Sequence, residues 1–599
     1  MNSPHAFADL RILATSDVHM HLTSWDPLHQ RHVAGRGFDV LARKLQSARN
    51  AAAGACILLD NGDAVQGTPV GAHCATLPSE TPHPWPEILN VLRYDAVGLG
   101  NHDFDFGLPF LERIVQQTHA PTLCASVSSG QIEGVEPSTL LTRTLTCSDG
   151  ETRPVRIGVT SVLPPQTAIW NHRYLTGLLE FDAGTPAARR AVQSLQARGA
   201  DIVVLLCHSG LSPIESGDEE NFGHQLAQDV EGIDAIVLGH THELFPGPDG
   251  QSALNGVPAV MPGYGAEALG QIDLSLRWTE NGWHVAGHDV ALLAPDQEDD
   301  PAPFISALTA PVIAQMQDAL DRTLTHSNSG FHSFFGMLMS GASDALVARA
   351  MTDVIAEHVA GTELAELPLL ASVAPVSMGG RAGPGNYVDI PAGPVQTRHI
   401  AMLTPFHNAV WAVVLTGADL VHWVERAAVF FAPSVNENGR LVDAETPSFN
   451  FDMLYGLKAE IDPFRPPMFN TLGQVIDPSA RRVRQLNFED SPVDPEAEFL
   501  VAMSSFRGAG GGNFPGISES TQVVRTNQDL TEAVQRTAER GALSPDHCAS
   551  VWRFASDRSA RVSIETSPRA GAHLDEISGF EPEVIGENDA GFLEVSVLI

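Results

Sequence analysis

The sequence predicts a layered α/β protein of two or three domains, and three observations predict it. From Leu10 to about Val290, short apolar runs alternate with helical stretches, the rhythm of strands buried on both faces. Most of those runs end in polar side chains of metal-binding type. The chain has 599 residues, 43% hydrophobic and only 18% charged, which is too long for one core and too apolar for disorder.

The expected strands are Leu10 to Thr15, Ala55 to Asp60, Ala96 to Gly100, Val155 to Thr160, Asp201 to Cys207 and Ala235 to Gly239. Five of them run into Ser16-Asp17-Val18-His19, Asn61-Gly62-Asp63, Asn101-His102-Asp103, His208-Ser209-Gly210 and His240-Thr241-His242. Loops leaving a rigid sheet are where α/β proteins usually place their sites, so these five tips are candidates to converge. Pro-rich sequence from about Pro295 leads into a helical stretch, Pro303 to Thr323, that reads as a connector. A further domain starts near Gly330. It carries Gly-rich loops at Met378 to Asn386 and Gly508 to Gly512 and closes on a strand-like segment, Gly591 to Ile599.

Charge limits the function classes. A net charge of -37, from 72 acidic and 35 basic residues, disfavours a nucleic-acid polymer or an anionic membrane as partner. An anionic small molecule then needs a local positive site, which bound divalent metals supply. The six cysteines, Cys56, Cys74, Cys124, Cys147, Cys207 and Cys548, have no paired spacing and are expected as free thiols. No apolar run approaches the length of a membrane span, and Met1 to Leu10 lack a signal peptide's apolar region. The expectation is a cytoplasmic monomer as written, with the periplasm as the alternative.

Two divalent ions about 3.5–4 Å apart can clamp the attacking and leaving oxygens of a phosphoryl displacement, and they need a bridging carboxylate. Asp63 is the candidate bridge. Asp17, His19 and His242 are expected to complete one ion, and Asn101, His208 and His240 the other. Mixed imidazole and oxygen donors suit Mn, Zn, Co or Fe. Any one of these residues alone also reads as a turn or helix cap. The ordered set of five tips is far more specific.

That order, Asp-x-His, Gly-Asp, Gly-Asn-His-Asp, His-Ser-Gly, Gly-His-Thr-His, resembles the calcineurin-like metallophosphoesterase superfamily. The resemblance extends through Leu163-Pro164-Pro165-Gln166, Ser377-Met378-Gly379-Gly380-Arg381, Phe449-Asn450-Phe451-Asp452 and Phe506-Arg507-Gly508 to the 5′-nucleotidase family. Within it, the branch of bacterial 2′,3′-cyclic-nucleotide 2′-phosphodiesterase/3′-nucleotidases is nearest. It implies a four-layer metallophosphoesterase domain over residues 1–300, in which a sheet sandwich is flanked by helices. A connector helix over 301–329 and an α/β nucleotidase substrate-binding domain over 330–599 follow. It also implies that His102 stabilises the transition state or protonates the leaving oxygen, with Asp105 orienting it.

For the second domain, an aromatic pair can sandwich any base, contributing about 1–3 kcal/mol per base. Phe449 and Phe506 are chosen on the resemblance, since both would otherwise read as core. Arg381 is a candidate phosphate contact, and Asn408 resembles a nucleoside-proximal position. The expected function is a two-metal hydrolase that opens 2′,3′-cyclic nucleotides to 3′-nucleotides and then removes the phosphate. A 5′-nucleotidase or UDP-sugar hydrolase and a catalytically silent nucleotide-binding protein are the alternatives.

Overall fold

In the computed structural model the chain divides into two compact units, Met1–Asp318 and Ala319–Ile599. The structure describes residues 6–599 except 249, 298, 407, 434, 437–438, 444–445, 518–520, 522 and 542–549, and excludes the side chains of Glu215 and Arg381.

The first unit holds two seven-stranded sheets. In one, strands Ala6–Thr15, Ala55–Asp60, Ala96–Gly98, Thr122–Leu123 and Val135–Glu136 run parallel in that order. The antiparallel strands Leu269–Thr279 and Gly282–Leu293 extend its other edge. In the second sheet, Thr152–Val162, Ile202–Cys207, Ala235–Leu238 and Val257–Pro262 are parallel, with antiparallel Ser138–Thr146 on one flank and Leu244–Phe245 on the other.

Strand alternation builds the layers. Leu10, Ile12, Ala14, Ile57 and Leu59 of the first sheet meet Ile157, Val159, Val204, Leu206 and Val237 of the second in one fully buried cluster. The intervening residues face outward. Val203, Leu205 and Ile236 pack with Ala188, Val192 and Leu195 of helix Gly184–Ala197 and with Leu226 of helix Gly223–Asp229. Leu13 and Leu58 are buried on the opposite side, where Phe38, Leu41 and Leu45 of helix Phe38–Asn50 repeat at helical spacing and the Phe38 ring meets Trp85. This is the four-layer arrangement of a sheet sandwich flanked by helices. The long hairpin over residues 269–293 has no counterpart among the expected strands. Its second strand alternates half-buried with exposed residues and so lacks a solid apolar run.

In the second unit, a five-stranded sheet runs Met453–Tyr455, Leu369–Val373, Glu498–Ser504, Ala409–Thr416, Val523–Asp529. Smaller sheets of four and three strands accompany it, and one core joins Phe334, Val413, Trp423, Phe451, Val501, Trp552 and Val595. Strand direction gathers four loops at one end of the five-stranded sheet. Leu369–Val373 and Glu498–Ser504 are parallel and end there, while Ala409–Thr416 and Met453–Tyr455 are antiparallel to them and begin there.

Candidate functional site

In the first unit, the parallel register brings the five tips together: Thr15 lies opposite Asp60, Asp60 opposite Val97, and Cys207 opposite Leu238. The residues beyond those ends form two donor trios, Asp17 with His19 and His242, and Asp63 with His208 and His240. Asn101 joins the second trio, its Oδ1 2.8 Å from His240 Nδ1. Asp63 Oδ2 lies 3.9 Å from His19 Nε2 and 3.0 Å from His208 Nε2, so it reaches both trios.

The histidine tautomers decide what this arrangement can hold. His19 Nδ1 donates to the Gln66 carbonyl at 2.9 Å and His208 Nδ1 to the Asn61 carbonyl at 2.8 Å. Each Nε2 therefore turns a lone pair into the cluster, as metal-binding histidines do. There His19 Nε2 meets His242 Nε2 at 3.0 Å and His208 Nε2 meets a carboxylate oxygen. Asp63 Oδ2 and His208 Nε2 are buried with no hydrogen-bond partner among the described residues. Acceptors facing acceptors in a buried pocket require cations, and this donor set fits two divalent ions.

Charge tells the same story. Burial pushes His19 and His242 down to about 3, so both stay neutral. His208 differs: burial opposes its charge, but Asp63 and Asp17 outweigh it and hold it up at about 10, so its Nε2 turns a proton toward Asp63 that a bound cation would replace. Asp63 is buried too, yet His208, His102 and His19 hold it well below the usual carboxylate range. The pocket is organised to stabilise positive charge.

The backbone is distorted at the same places. Asp17, His19, Asp63, His240 and His242 all have positive φ, between 48° and 73°. This left-handed region costs a non-glycine residue roughly 1–2 kcal/mol, and such strain clusters where geometry serves function. Gly100 is required by close approach, since a Cβ there would lie 2.2 Å from Asp63 Oδ1. His102 sits beside the first trio, its ring 5.5 Å from that of His19. Its backbone N–H donates to Asp63 Oδ1 at 2.7 Å, and its Nδ1 to Asp105 Oδ2 at 2.8 Å. Burial works against protonation of His102, but Asp105 and Asp63 raise it to about 9. Asp105 does not cap the next helix, whose N-cap is Gly107.

In the second unit, the end of the sheet where the loops gather carries Phe449 and Phe506. Each is 39% exposed, whereas Phe451 and Phe514 from the same two segments are core. Arg507, buried between the segments, pairs with Asp452 at 2.6 Å and donates to the Phe449 carbonyl at 2.7 Å and to the Gly511 carbonyl. Gly511 lies under the Phe506 ring, where a Cβ would come within 2.5 Å of it. Asn408 Oδ1 accepts from the Phe506 N–H at 3.2 Å, so it supports the loop that presents this ring. Arg381 lies in a short turn, Gly380–Ala382, at the same end of the sheet, and its side chain falls outside the described residues.

Comparison with known proteins matches residues 10–244 to calcineurin-like phosphoesterase and residues 324–519 to the 5′-nucleotidase C-terminal domain. The chain is 30% identical to a Salmonella typhimurium 2′,3′-cyclic-nucleotide 2′-phosphodiesterase/3′-nucleotidase, over 98% of this chain and 96% of that one. It belongs to the 5′-nucleotidase family of calcineurin-like metallophosphoesterases. Another relative, the trifunctional nucleotide phosphoesterase protein YfkN of Bacillus subtilis, is 30% identical over 93% of this chain, which spans only 40% of that longer protein. A 5′-nucleotidase precursor structure from Thermus thermophilus shares the fold, with TM-score 0.58 at 19% identity, covering 92% of this chain and 100% of that one. As a family member the chain is a metal-dependent hydrolase. Among the described residues, no helix is long and apolar enough to cross a membrane.

This family member also uses residues that the sequence reading did not single out. The buried Asp103 carboxylate accepts from the backbone N–H groups of Asp63, Ala64 and Gly100 at 2.9–3.1 Å and fixes two tips against each other. Asn171 donates to the Asn101 carbonyl at 2.9 Å, and Trp170 stacks on His240 at 5.4 Å. Asp103 lies inside the Asn101-His102-Asp103 tip, so a signal existed for it, and Trp170 and Asn171 follow shortly after Leu163-Pro164-Pro165-Gln166. Glu220, 3.1 Å from His240 Nε2, and Tyr264, stacked on His242 at 4.8 Å, come from segments with no motif.

Proposed function

We propose that the chain hydrolyses 2′,3′-cyclic nucleotides to 3′-nucleotides and then releases phosphate from the 3′-nucleotide, leaving nucleoside. The observation that carries this reading is the pair of donor trios with Asp63 of one lying 3.9 Å from His19 of the other, in a chain aligned almost end to end with enzymes named for both reactions. Asp17, His19 and His242 would hold one divalent ion, and Asn101, His208 and His240 the other, with Asp63 between them. Bound there, ions of the Mn, Zn, Co or Fe type supply Lewis-acid charge for an in-line phosphoryl displacement.

The chain's own groups do the rest. His102 keeps its Nδ1–H on Asp105 and carries positive charge toward the phosphoryl oxygens. It gives a proton to the departing ribose oxygen, which is the 2′ oxygen of a cyclic substrate and the 3′ oxygen of a monoester. In the second unit, Phe449 and Phe506 stack on the base, and Asn408 and Arg507 hold the loops that present them.

Initial rates on 2′,3′-cyclic AMP, 3′-AMP and 5′-AMP in one metal-loaded assay test this. The reading requires turnover of the first two. Preference for 5′-AMP without cyclic activity would overturn it in favour of a 5′-nucleotidase.

A further inference from the structure

Among the described residues, nitrogen and carboxylate donors converge at one place besides the two trios, and it lies within the second unit. His332, His573 and Glu576 each present a donor atom there, all within 4.8 Å of one another. His332 closes the short strand Phe331–His332, which pairs antiparallel with Asp389–Ile390. His573 and Glu576 stand one turn apart in the helical segment Pro568–Phe580. The contact therefore joins parts of the chain 244 residues apart.

We propose that His332, His573 and Glu576 form a further divalent-cation site of the zinc class, separate from the phosphoesterase cluster and serving to tie these two segments together. Glu576 Oε1 lies 3.1 Å from His332 Nε2 and 2.9 Å from His573 Nδ1. Tetrahedral zinc with bonds of about 2.0–2.2 Å spaces its ligand atoms roughly 3.3–3.5 Å apart. Two of the three edges are already close to that value, and small ring movements open the trio onto an ion.

The His332 side chain is only 9% exposed, and it stacks on Phe334 at 4.5 Å, which fixes the ring. Its Nε2 is the atom that faces Glu576, while its Nδ1 is buried without a hydrogen-bond partner among the described residues. Glu576 and His573 are far more open, which leaves an entry path and room for water as a fourth ligand.

Two imidazoles and one carboxylate with an open position make a zinc-type donor set. An ion bound by the folded chain and not by the unfolded one stabilises it by mass action.

The test uses the full chain, stripped with chelator, reloaded with Zn²⁺ alone, desalted and assayed for metal per chain by mass spectrometry. Wild type is compared with His573→Gln and with Glu576→Gln, the second an isosteric change at an exposed position. The expected result is one ion per chain fewer in either variant that retains the wild-type circular dichroism. Nucleotide turnover stays unchanged, and Zn²⁺ raises Tm less than in wild type. Ion counts equal to wild type in both variants would overturn the proposal.

Discussion

The two candidate sites of this chain lie at the same kind of place, loops gathered at one end of a sheet, yet they are built in opposite ways. In the first unit the functional groups are mostly buried and carried on strained backbone, with Asp17 and Asp63 inaccessible and five of the seven expected ligands at positive φ. In the second unit the expected recognition groups, Phe449 and Phe506, stand exposed on relaxed loops whose order comes from beneath, through Arg507 and Asn408. The difference follows from what each must do. Holding cations demands converging lone pairs that would repel without them, so the surrounding fold must impose the geometry. Stacking on a base demands only an open apolar face held at the right angle.

This contrast predicts different kinetic losses in the two units. Asp63→Asn removes the carboxylate that lies between the trios, and kcat should fall at least about 10³-fold with the circular dichroism unchanged. Near-normal turnover would remove Asp63 from the bridge. His102→Gln should lower kcat about 10²–10³-fold with little change in KM, since its role lies in the transition state. Equal loss on a substrate with a leaving group that needs no proton, such as p-nitrophenyl phosphate, would argue against proton donation.

Gly100→Ala drives a methyl group against Asp63 and should cost on the order of 10²-fold in kcat by displacing it. A wild-type rate would mean that the cluster is more yielding than its strain implies. Phe506→Ala belongs to the other unit and should act on KM, raising it about 5- to 100-fold for nucleotides at nearly constant kcat. A fall in kcat as large as that of His102→Gln would erase the division between chemistry and recognition.

The smallest effect is on stability. His83 caps helix Pro84–Leu92 through its Nδ1, which accepts from the Trp85 N–H at 3.2 Å, and burial lowers its pKa to about 3. The unfolded chain takes up that proton near pH 6.5 and the folded chain does not, so stability falls as pH drops from about 6.5 toward 3. In thermal melts across that window, His83→Asn, which keeps a capping oxygen, should lose less Tm than wild type.

Much of this was legible in the sequence because each polar tip directly follows a solid apolar run. The buried parallel strands Ala55–Asp60 and Ile202–Cys207 can be read within a residue of their ends, and the tips follow from them. The hairpin at residues 269–293 was not legible, because a strand with one wet face lacks that run. Asp103 escaped for another reason: its work is to accept backbone N–H groups, and a carboxylate doing so looks in sequence like any turn residue. Glu220 and Tyr264 reach the cluster only through the tertiary fold. The exposure of Phe449 beside the burial of Phe451 likewise needed coordinates.

The most direct test of the central claim follows 2′,3′-cyclic AMP to its products over time in wild type and in Asp63→Asn. One cluster serving both reactions predicts that 3′-AMP appears first, that adenosine and phosphate follow, and that the single substitution abolishes both steps together. Loss of one step with retention of the other would contradict it.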